Sequence, residues 1–323
     1  MIKLNVRAHS ILRRILAAMT LVFATGAVVQ PAAAVVIPQT TQQQPSLATF
    51  NGKLYIAWPG SNNLQLNVAS SADGTTFGAP AVIPNRFAAS DTGPAIIEFL
   101  NQLYIVWAGV GNDLRIASSS DGVNFGNPSN VSNFTSSCSP ALAATSTTLF
   151  VAYCINLNTI LVTSSTDGVN WTFPSSPSGF VSPWSPALTI VGNQLVLSFT
   201  TPQVGSVPGS TLLWTAPASG TTSLVWTQWT GPVSGFSGSC CGGPGLATIN
   251  SSLAGVQFIP PNGTAYEFNY ELSNGQLDFE SSEMLSGAVI SQAGPALASF
   301  NGHLYLAWKG TDNPAHLNIV EVF

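Results

Sequence analysis

The sequence predicts an all-β fold, a six-bladed β-propeller whose blades are four-stranded antiparallel sheets. The prediction depends on an internal repeat, on strand patterns within each copy, and on a match between the two chain ends. The segment PSLATFNGKLYIAW at 45–58 recurs as PAIIEFLNQLYIVW at 94–107 and as PALASFNGHLYLAW at 295–308. With three weaker copies, units begin at Pro45, Pro94, Pro140, Pro186, Pro244 and Pro295, spaced 49, 46, 46, 58 and 51 residues apart.

The composition favours strands over helices. Of the 323 residues, 7% are charged and 45% are hydrophobic, and the chain has 29 glycines and 22 prolines. Turn formers in this number indicate short strands with tight connections. No apolar run of about 18 residues follows position 40, so the sequence predicts no membrane-spanning helix there.

Each unit has the pattern strand, turn, strand. The Asn-Gly pairs at 51–52 and 301–302 tolerate the positive φ angles of a two-residue hairpin turn. The run at 54–58 is apolar on both faces, which is typical of a strand between two neighbouring sheets. A third strand at 64–71 and an outer strand at 81–84 complete the first unit.

A recurring turn follows the third strand in three units. It reads SADGTTF at 71–77, SSDGVNF at 119–125 and STDGVNW at 165–171. The Asp can accept hydrogen bonds from turn amides, the Gly can adopt a left-handed conformation, and the aromatic ring can fold back onto the sheet. We therefore predict a structural role for Asp73, Gly74, Phe77, Asp121, Gly122, Phe125, Asp167, Gly168 and Trp171.

These turns resemble a variant of the Asp-box, or BNR repeat, of sialidase-like β-propellers. In that family the box joins the third and fourth strands of a blade on the face away from the active site, and its role is structural. The resemblance covers 45–175 and 295–323, and it is poor in 186–290, where no intact box occurs. Blade boundaries in 186–290 therefore stay open at this point.

The resemblance does not extend to the catalytic residues. Sialidases of the family bind the substrate carboxylate with three arginines, and they use a Tyr–Glu pair and an Asp. After residue 34 the chain has only Arg86 and Arg115, and the family's N-terminal Arg-Ile-Pro type motif is absent. The sequence therefore indicates a sialidase-like propeller without the sialidase catalytic residues.

The ends of the chain predict how the ring closes. The sixth unit stops at Phe323 after its third strand, so one outer strand is missing. The segment VVIP at 35–38 matches AVIP at 81–84, the outer strand of the first unit. We therefore expect the N-terminal strand to complete the last blade, which removes exposed sheet edges.

The first 34 residues have the pattern of a secretory signal peptide. Lys3, Arg7, Arg13 and Arg14 precede the apolar stretch 15–29, and small residues at 32–34 fit a signal peptidase. The alternative is an uncleaved N-terminal anchor. We expect a propeller domain at 35–323 and a secreted, periplasmic or extracellular location.

The predicted mature chain is acidic. Its basic residues are Lys53, Arg86, Arg115 and Lys309, against all 13 acidic residues, which gives a net charge of −9. Such a chain has no electrostatic footprint for nucleic acid or anionic lipid. We expect a monomer whose partner is a glycan or a cell-surface ligand.

The four cysteines are interpreted as disulfide-forming residues of an exported protein. A hairpin centred near residue 146 would place Cys138 opposite Cys154, so this pair is predicted to be bridged. Cys240 and Cys241 are adjacent and could form a vicinal disulfide. Alternatively, each pairs with a cysteine of the third unit or stays reduced.

Aromatic residues supply candidate ligand-binding positions. The second strands end in an aromatic residue just before loops that carry polar residues such as Asn63, Asp113 and Asp312. The aromatic residues are Trp58, Trp107, Tyr153 and Trp308. Rings with nearby amides and carboxylates suit sugar stacking and hydrogen bonding. The alternative is that these rings pack between blades. Trp184 differs, because it lies in the loop SPWSP at 182–186.

Catalytic candidates are few. A glycosidase needs two carboxylates that flank the scissile bond. Glu98, on an innermost strand, could be a catalytic acid or a carboxylate without function in the central channel. Asp91, in the loop before that strand, is a further candidate, and Asp113, Asp312 and Glu267 are other acids assigned to the open face. His303 and His316 are isolated, so we expect neither a metal site nor a cofactor. Three functions stay open: a non-catalytic carbohydrate or surface-ligand binder, a non-sialidase glycoside hydrolase, and a structural or protein-interaction scaffold.

Overall fold

The computed structural model describes residues 33–322 except 157–158, 177–180, 203–209, 219–223, 230–241, 260–263, 274–275, 286–288 and 292. Nearly all of the predicted signal peptide, and both Cys240 and Cys241, lie outside these residues. Among the residues described, no helix is long and apolar enough to cross a bilayer.

The described residues form six small antiparallel sheets arranged as the predicted six-bladed propeller. Blade 1 contains β2 (Ser46–Phe50), β3 (Lys53–Pro59), β4 (Gln65–Ser71) and β5 (Ala81–Phe87). Blade 2 contains β6 (Ala95–Phe99), β7 (Gln102–Ala108), β8 (Asp113–Ser119) and β9 (Ser129–Thr135). Blade 3 contains β10 (Ala141–Ala144), β11 (Leu149–Ile155) and β12 (Thr159–Ser165). The position of its outer strand is marked by the bridges Val162–Ser175 and Thr159–Val181.

The segment 186–290, whose boundaries the repeat left open, forms two more blades. Blade 4 contains β13 (Ala187–Val191), β14 (Gln194–Thr200), β15 (Thr211–Pro217) and the short β16 (Thr227–Gln228). Blade 5 contains β17 (Gly245–Ile249), β18 (Ser252–Ile259), β19 (Thr264–Ser273) and β20 (Gln276–Met284).

Blade 6 joins the two ends of the chain, which confirms the predicted ring closure. It contains β21 (Ala296–Phe300), β22 (His303–Lys309), β23 (His316–Glu321) and, as its outer strand, β1 (Val35–Thr40). Strands β1 and β23 pair antiparallel, with Ile37 opposite Leu317. Both side chains are buried, so this pairing adds apolar contacts to its backbone hydrogen bonds.

The core lies between neighbouring blades, because second strands are buried on both faces. Leu54, Ile56 and Trp58 pack with residues of blade 6, whereas Tyr55 and Ala57 pack with residues of blade 2. Successive side chains of a strand point to opposite faces, so one strand contributes to two adjacent apolar clusters. This arrangement explains why 54–58 reads as a continuous apolar run.

The three recurring turns have one hydrogen-bond pattern, and we call them the Asp-Gly turns (71–77, 119–125 and 165–171). In the second, Asp121 Oδ1 accepts hydrogen bonds from the amides of Val123 and Asn124 at 2.8 and 2.7 Å. These donors lower the pKa of the Asp121 carboxyl well below its ordinary value, since they stabilise the ionised form. The same holds for Asp73 and Asp167.

Each Asp-Gly turn packs against a tyrosine of the preceding blade. The glycine comes so close that a Cβ on Gly122 would lie 2.5 Å from three atoms of Tyr55. The corresponding pairs are Gly74 with Tyr305 and Gly168 with Tyr104. In blades 3, 4 and 5 the tyrosine position holds Phe150, Val196 and Ala254, and none of these blades precedes an Asp-Gly turn. The turn and the tyrosine therefore occur together.

A disulfide joins Cys138 and Cys154, the pair that the hairpin spacing predicts. Their Cα atoms are 5.5 Å apart, and both residues are buried in the cluster between blades 3 and 4. The bridge ties the segment before β10 to the end of β11.

Candidate ligand sites between the blades

The central channel is narrow at the face that carries the loops between second and third strands, which we call the open face. The six anchoring prolines and the first residues of the innermost strands line a cavity of about 100 Å³. The side chains around this cavity are mostly those of proline, alanine and leucine, with Gln44 and Ser46 among the few polar ones. A Cβ on Gly243 would lie only 1.6 Å from Ser185 O, so the backbone crowds this mouth. The candidate sites therefore lie away from the ring axis.

The two weak catalytic candidates lie at opposite ends of β6. Asp91 belongs to the loop on the open face, where Gln43 Nε2 donates a hydrogen bond to its Oδ1 at 3.3 Å. Glu98 is exposed near the other end, opposite Leu103 and beside the hairpin turn. The strand from Ala95 to Glu98 alone extends about 10 Å. Asp91 and Glu98 therefore do not flank one bond as a carboxylate pair.

Glu267 does not face the open solvent either. Glu267 is only 1% exposed, and it lies opposite Val256 in the pairing of β19 with β18. Asn269 Nδ2 donates a hydrogen bond to its Oε1. The expectation of an acid on the open face is wrong for this residue, because Glu267 is buried.

The four aromatic candidates at the ends of the second strands are buried. Trp58, Trp107, Tyr153 and Trp308 are 2% exposed or less and belong to the clusters between blades. The expectation that they present a ring face to a ligand is therefore wrong, because the outer strand of the preceding blade covers them. Trp58 and Trp107 also contribute to the lining of two crevices.

Trp184 lies in the loop before β13, as predicted, and is half-buried. Its amide donates to Ser182 Oγ at 3.1 Å, and the same hydroxyl donates to Trp184 O at 2.8 Å. These bonds hold the backbone of the loop. Trp184 lines none of the crevices described below.

The first crevice lies between blades 6 and 1, and we call it the amide crevice. Its walls come from the end of β1, the end of β3 and the following loop, and it has a volume of about 220 Å³. Gly60 forms part of the floor of the crevice. A Cβ built on Gly60 would lie 3.1 Å from Asn63 Oδ1 and 3.3 Å from Asn67 Nδ2, so the two amide groups lie close to this glycine. The lining residues are Gln39, Thr40, Trp58, Gly60, Ser61, Asn62, Asn63 and Asn67.

The polar groups of the amide crevice are held in place by local hydrogen bonds. Asn67 Nδ2 donates to Gln65 O at 2.7 Å, and Asn63 Oδ1 accepts from the Gln65 amide at 3.0 Å. Across the two blades, Thr40 Oγ1 and Ser61 Oγ are 2.7 Å apart. Side chains fixed in this way lose little conformational freedom when a ligand binds.

A larger cavity of about 400 Å³ adjoins the amide crevice and shares Ser61 and Asn62 with it. Its other wall is the blade 6 loop that contains Asp312, one of the predicted ligand-binding residues. The Asp312 carboxylate bonds the His316 ring, and its Oδ1 accepts from the His316 amide at 3.0 Å. These contacts lower the pKa of the Asp312 carboxyl. Lys309 Nζ donates to Gln42 O at 2.7 Å on the same side.

The second crevice occupies the equivalent place between blades 1 and 2, and we call it the arginine crevice. Its volume is about 150 Å³. Trp107 corresponds to Trp58 and Gly109 to Gly60, because Ala88 bridges Gly109 as Thr41 bridges Gly60. The lining residues are Asn85, Arg86, Phe87, Trp107, Gly109, Val110, Arg115 and Pro128. Asp113, another predicted ligand residue, binds Arg115 Nη2 at 3.1 Å.

The equivalent place between blades 2 and 3 is filled with apolar side chains. Phe134 stacks on Tyr153 with ring centroids 5.4 Å apart, and Leu161 packs against both in one cluster. Burial raises the pKa of the Tyr153 phenol. This ring therefore serves packing.

Between blades 4 and 5 the aromatic position holds Gln257 instead. Gln257 is 1% exposed and bonds the hydroxyls of Thr200 and Thr211 across the two blades. This polar cluster is closed to solvent. Trp308 occupies the same position between blades 5 and 6. Most side chains of β20, the outer strand of blade 5, are not among those that the structure describes.

Sequence reasoning named Asn63 beside the second-strand aromatic but missed Gln39 and Asn67. One signal was available: the residue opposite the second-strand aromatic is Asn67 in blade 1, Arg115 in blade 2, Leu161 in blade 3 and Asn318 in blade 6. In blades 1 and 2 the polar residue at this position lines a crevice, whereas Leu161 in blade 3 packs in the apolar cluster.

No protein-family model and no curated protein matches the sequence. Solved structures do match the fold. An α-L-arabinofuranosidase from Fusarium graminearum is 11% identical, covers 91% of this chain and 98% of its own, and has a TM-score of 0.64. The Aleuria aurantia lectin, determined with a fucosyl disaccharide, is 13% identical over 85% and 91%, with a TM-score of 0.60.

Sialidases share the fold as well. The Trypanosoma rangeli sialidase is 12% identical with a TM-score of 0.60, and the match covers 91% of this chain but 58% of the sialidase. At these identities the comparisons show a sialidase-like six-bladed propeller fold.

Proposed function

We propose that this protein is an exported, non-catalytic carbohydrate-binding protein whose primary site is the amide crevice with its adjoining cavity. The observation that carries the proposal is the convergence of Gln39, Asn63 and Asn67 above the Gly60 floor. Amide and hydroxyl groups donate and accept hydrogen bonds at once, which matches the hydroxyl groups of a neutral sugar. The adjoining cavity of about 400 Å³ provides space for further sugar residues.

Two further considerations support the proposal. The arabinofuranosidase and sialidase are named for activity on carbohydrates, and the lectin was determined with a fucosyl disaccharide. The carboxylates Asp91 and Glu98 are separated by β6, and Asp113 and Asp312 are each engaged by a neighbouring cation or imidazole. This distribution favours binding over hydrolysis. Export agrees with the Cys138–Cys154 disulfide and with the N-terminal signal pattern.

The Asp-Gly turns have a structural role in this proposal, as Asp-boxes do in the family that they resemble. They lie on the face opposite the crevices, where the Asp binds its own turn and the Gly packs on a tyrosine. They therefore hold neighbouring blades together without contacting ligand.

A glycan array followed by titration tests the proposal. We expect a neutral oligosaccharide to bind the wild type, and Asn67→Ala to weaken that binding about tenfold, because one or two hydrogen bonds to the sugar are lost. Asn133→Ala is the control, since Asn133 is exposed on the outer strand of blade 2. Unchanged affinity in Asn67→Ala would contradict the site. Release of reducing sugar from the array hits would indicate a glycoside hydrolase instead.

A further inference from the structure

The arginine crevice collects positive charge that is scarce in this chain. After residue 34 the sequence has only two arginines, and both Arg86 and Arg115 line this one crevice. They come from different strands, β5 and β8. In a chain segment with 13 acidic residues and four basic ones, this is a local reversal of the overall charge.

The two arginines replace two neutral residues of the equivalent crevice. Arg115 stands opposite Trp107 as Asn67 stands opposite Trp58. Ala88 and Thr41 form equivalent bridges to Gly109 and Gly60. Arg86 lies two residues before Ala88, and Gln39 lies two residues before Thr41, so Arg86 corresponds to Gln39. The floor glycine and the tryptophan edge are retained. The two crevices thus have the same backbone framework. At two equivalent positions, one crevice has neutral amide side chains and the other has arginines.

The donors of the two guanidinium groups are only partly used by the protein. Arg86 Nη1 donates to Pro84 O at 2.8 Å and Nη2 to Gly126 O at 3.2 Å, which fixes the group. Arg86 Nε is buried and has no hydrogen-bond partner among the described residues. Arg115 donates through Nη2 to Asp113, and its side chain is 38% exposed. Each guanidinium has five N–H donors, so several donors stay available to a ligand.

We propose that the arginine crevice is a second saccharide site, specific for a sugar that carries an anionic substituent, a carboxylate or a sulfate ester. Arginine is the side chain best suited to bind a planar carboxylate or an oxyanion through paired N–H donors. The volume of about 150 Å³ accommodates the charged group and the ring atoms beside it. The exposed Val110 and Phe87 offer apolar contact at the rim. The inference depends on the proposed function, because it takes the ligand to be a saccharide.

The test uses a sugar with a carboxylate, its uncharged methyl ester and a sugar with a sulfate ester. Immobilised tri-galacturonic acid, its methyl ester and a 6-sulfated galactose trimer are titrated with the wild type and with Arg86→Gln/Arg115→Asn, which installs the residues of the amide crevice. We expect the wild type to bind an anionic sugar at least about tenfold more tightly than the ester, and the variant to lose this preference. The preference should also weaken with added salt. Lys53→Gln, which removes an exposed positive charge on a hairpin turn, is the matched control.

The outcomes distinguish a carboxylate ligand from a sulfate ester, and they test the arginine crevice independently of the amide crevice. Preference for the acid identifies a carboxylate, and preference for the sulfated trimer identifies a sulfate ester. Arg115→Asn alone leaves the Arg86 backbone contacts intact, so it is informative even where the double variant does not fold. Equal binding of the ester and of both anionic sugars by the wild type, or a preference retained in the arginine variants, overturns the inference. Asn67→Ala tests the neutral site separately, because it leaves the arginine crevice unchanged.

Discussion

The contact between Gly122 and Tyr55 makes a quantitative prediction about stability. Alanine at position 122 would keep the left-handed φ of 77°, which costs about 1–2 kcal/mol for a residue with a Cβ. Its Cβ would also lie 2.5 Å from three atoms of the Tyr55 ring. Overpacking of this kind costs about 1–3 kcal/mol. We therefore expect Gly122→Ala to lower the free energy of unfolding by about 2–5 kcal/mol.

Gly52 provides the matched control. Its φ of 68° is also left-handed, but nothing lies within 4 Å of a Cβ built there. Gly52→Ala should therefore cost only the backbone term of about 1–2 kcal/mol. The difference between the two glycine variants measures the steric conflict with Tyr55.

A double-mutant cycle isolates that conflict. Tyr55→Leu removes the ring atoms that a Cβ at position 122 would meet, so in this background Gly122→Ala should cost about as much as Gly52→Ala. Denaturant unfolding at constant m gives the required free energies. The packing account is refuted when Gly122→Ala costs no more than Gly52→Ala in the wild type. It is equally refuted when Tyr55→Leu leaves the cost of Gly122→Ala unchanged.

Three further predictions concern the bridge, the ring closure and the turn carboxylates. Replacing both Cys138 and Cys154 with Ala should cost about 3 kcal/mol, since the bridge closes a loop with a sequence separation of 16, as denaturant midpoints would measure. Ile37→Ala should cost about 2–5 kcal/mol, because Ile37 is buried against blade 6, whereas the exposed neighbour Val36→Ala should change stability by less than about 0.5 kcal/mol. The pKa of Asp121 is lower in the folded state than its unfolded value near 3.9. The contribution of the ionised Asp121 to stability is therefore complete above that pH and decreases as the pH falls below it. The free energy of unfolding, measured from about pH 5 to 2, should depend less on pH in Asp121→Asn than in the wild type.

The fold was predictable because each blade is specified locally. The repeat contains its own hairpin dipeptides, its apolar second strand and, in three units, the Asp-Gly turn. The match between 35–38 and 81–84 also predicted the closure, since an outer strand has the same neighbours in every blade. Where the repeat weakens, in 186–290, the strand patterns continue without the turn motif.

The candidate sites were less predictable because they form between blades. Trp58 ends a strand near a polar loop, and only the covering strand β1 of the neighbouring blade decides that its ring face is buried. Gln39 and Asn67 belong to different sheets, so their proximity is not visible in either pattern. Gln257 occupies the position of the second-strand aromatic in blade 5. Its hydrogen-bond partners Thr200 and Thr211 lie in blade 4, so the pattern of blade 5 alone does not explain this residue.

A crystal structure with a bound neutral oligosaccharide selected on the array tests the central claim most directly. The account predicts sugar density in the amide crevice, within hydrogen-bond distance of Gln39, Asn63 and Asn67. Density at the mouth of the central channel beside a pair of carboxylates would contradict it, and so would a cleaved sugar in that position.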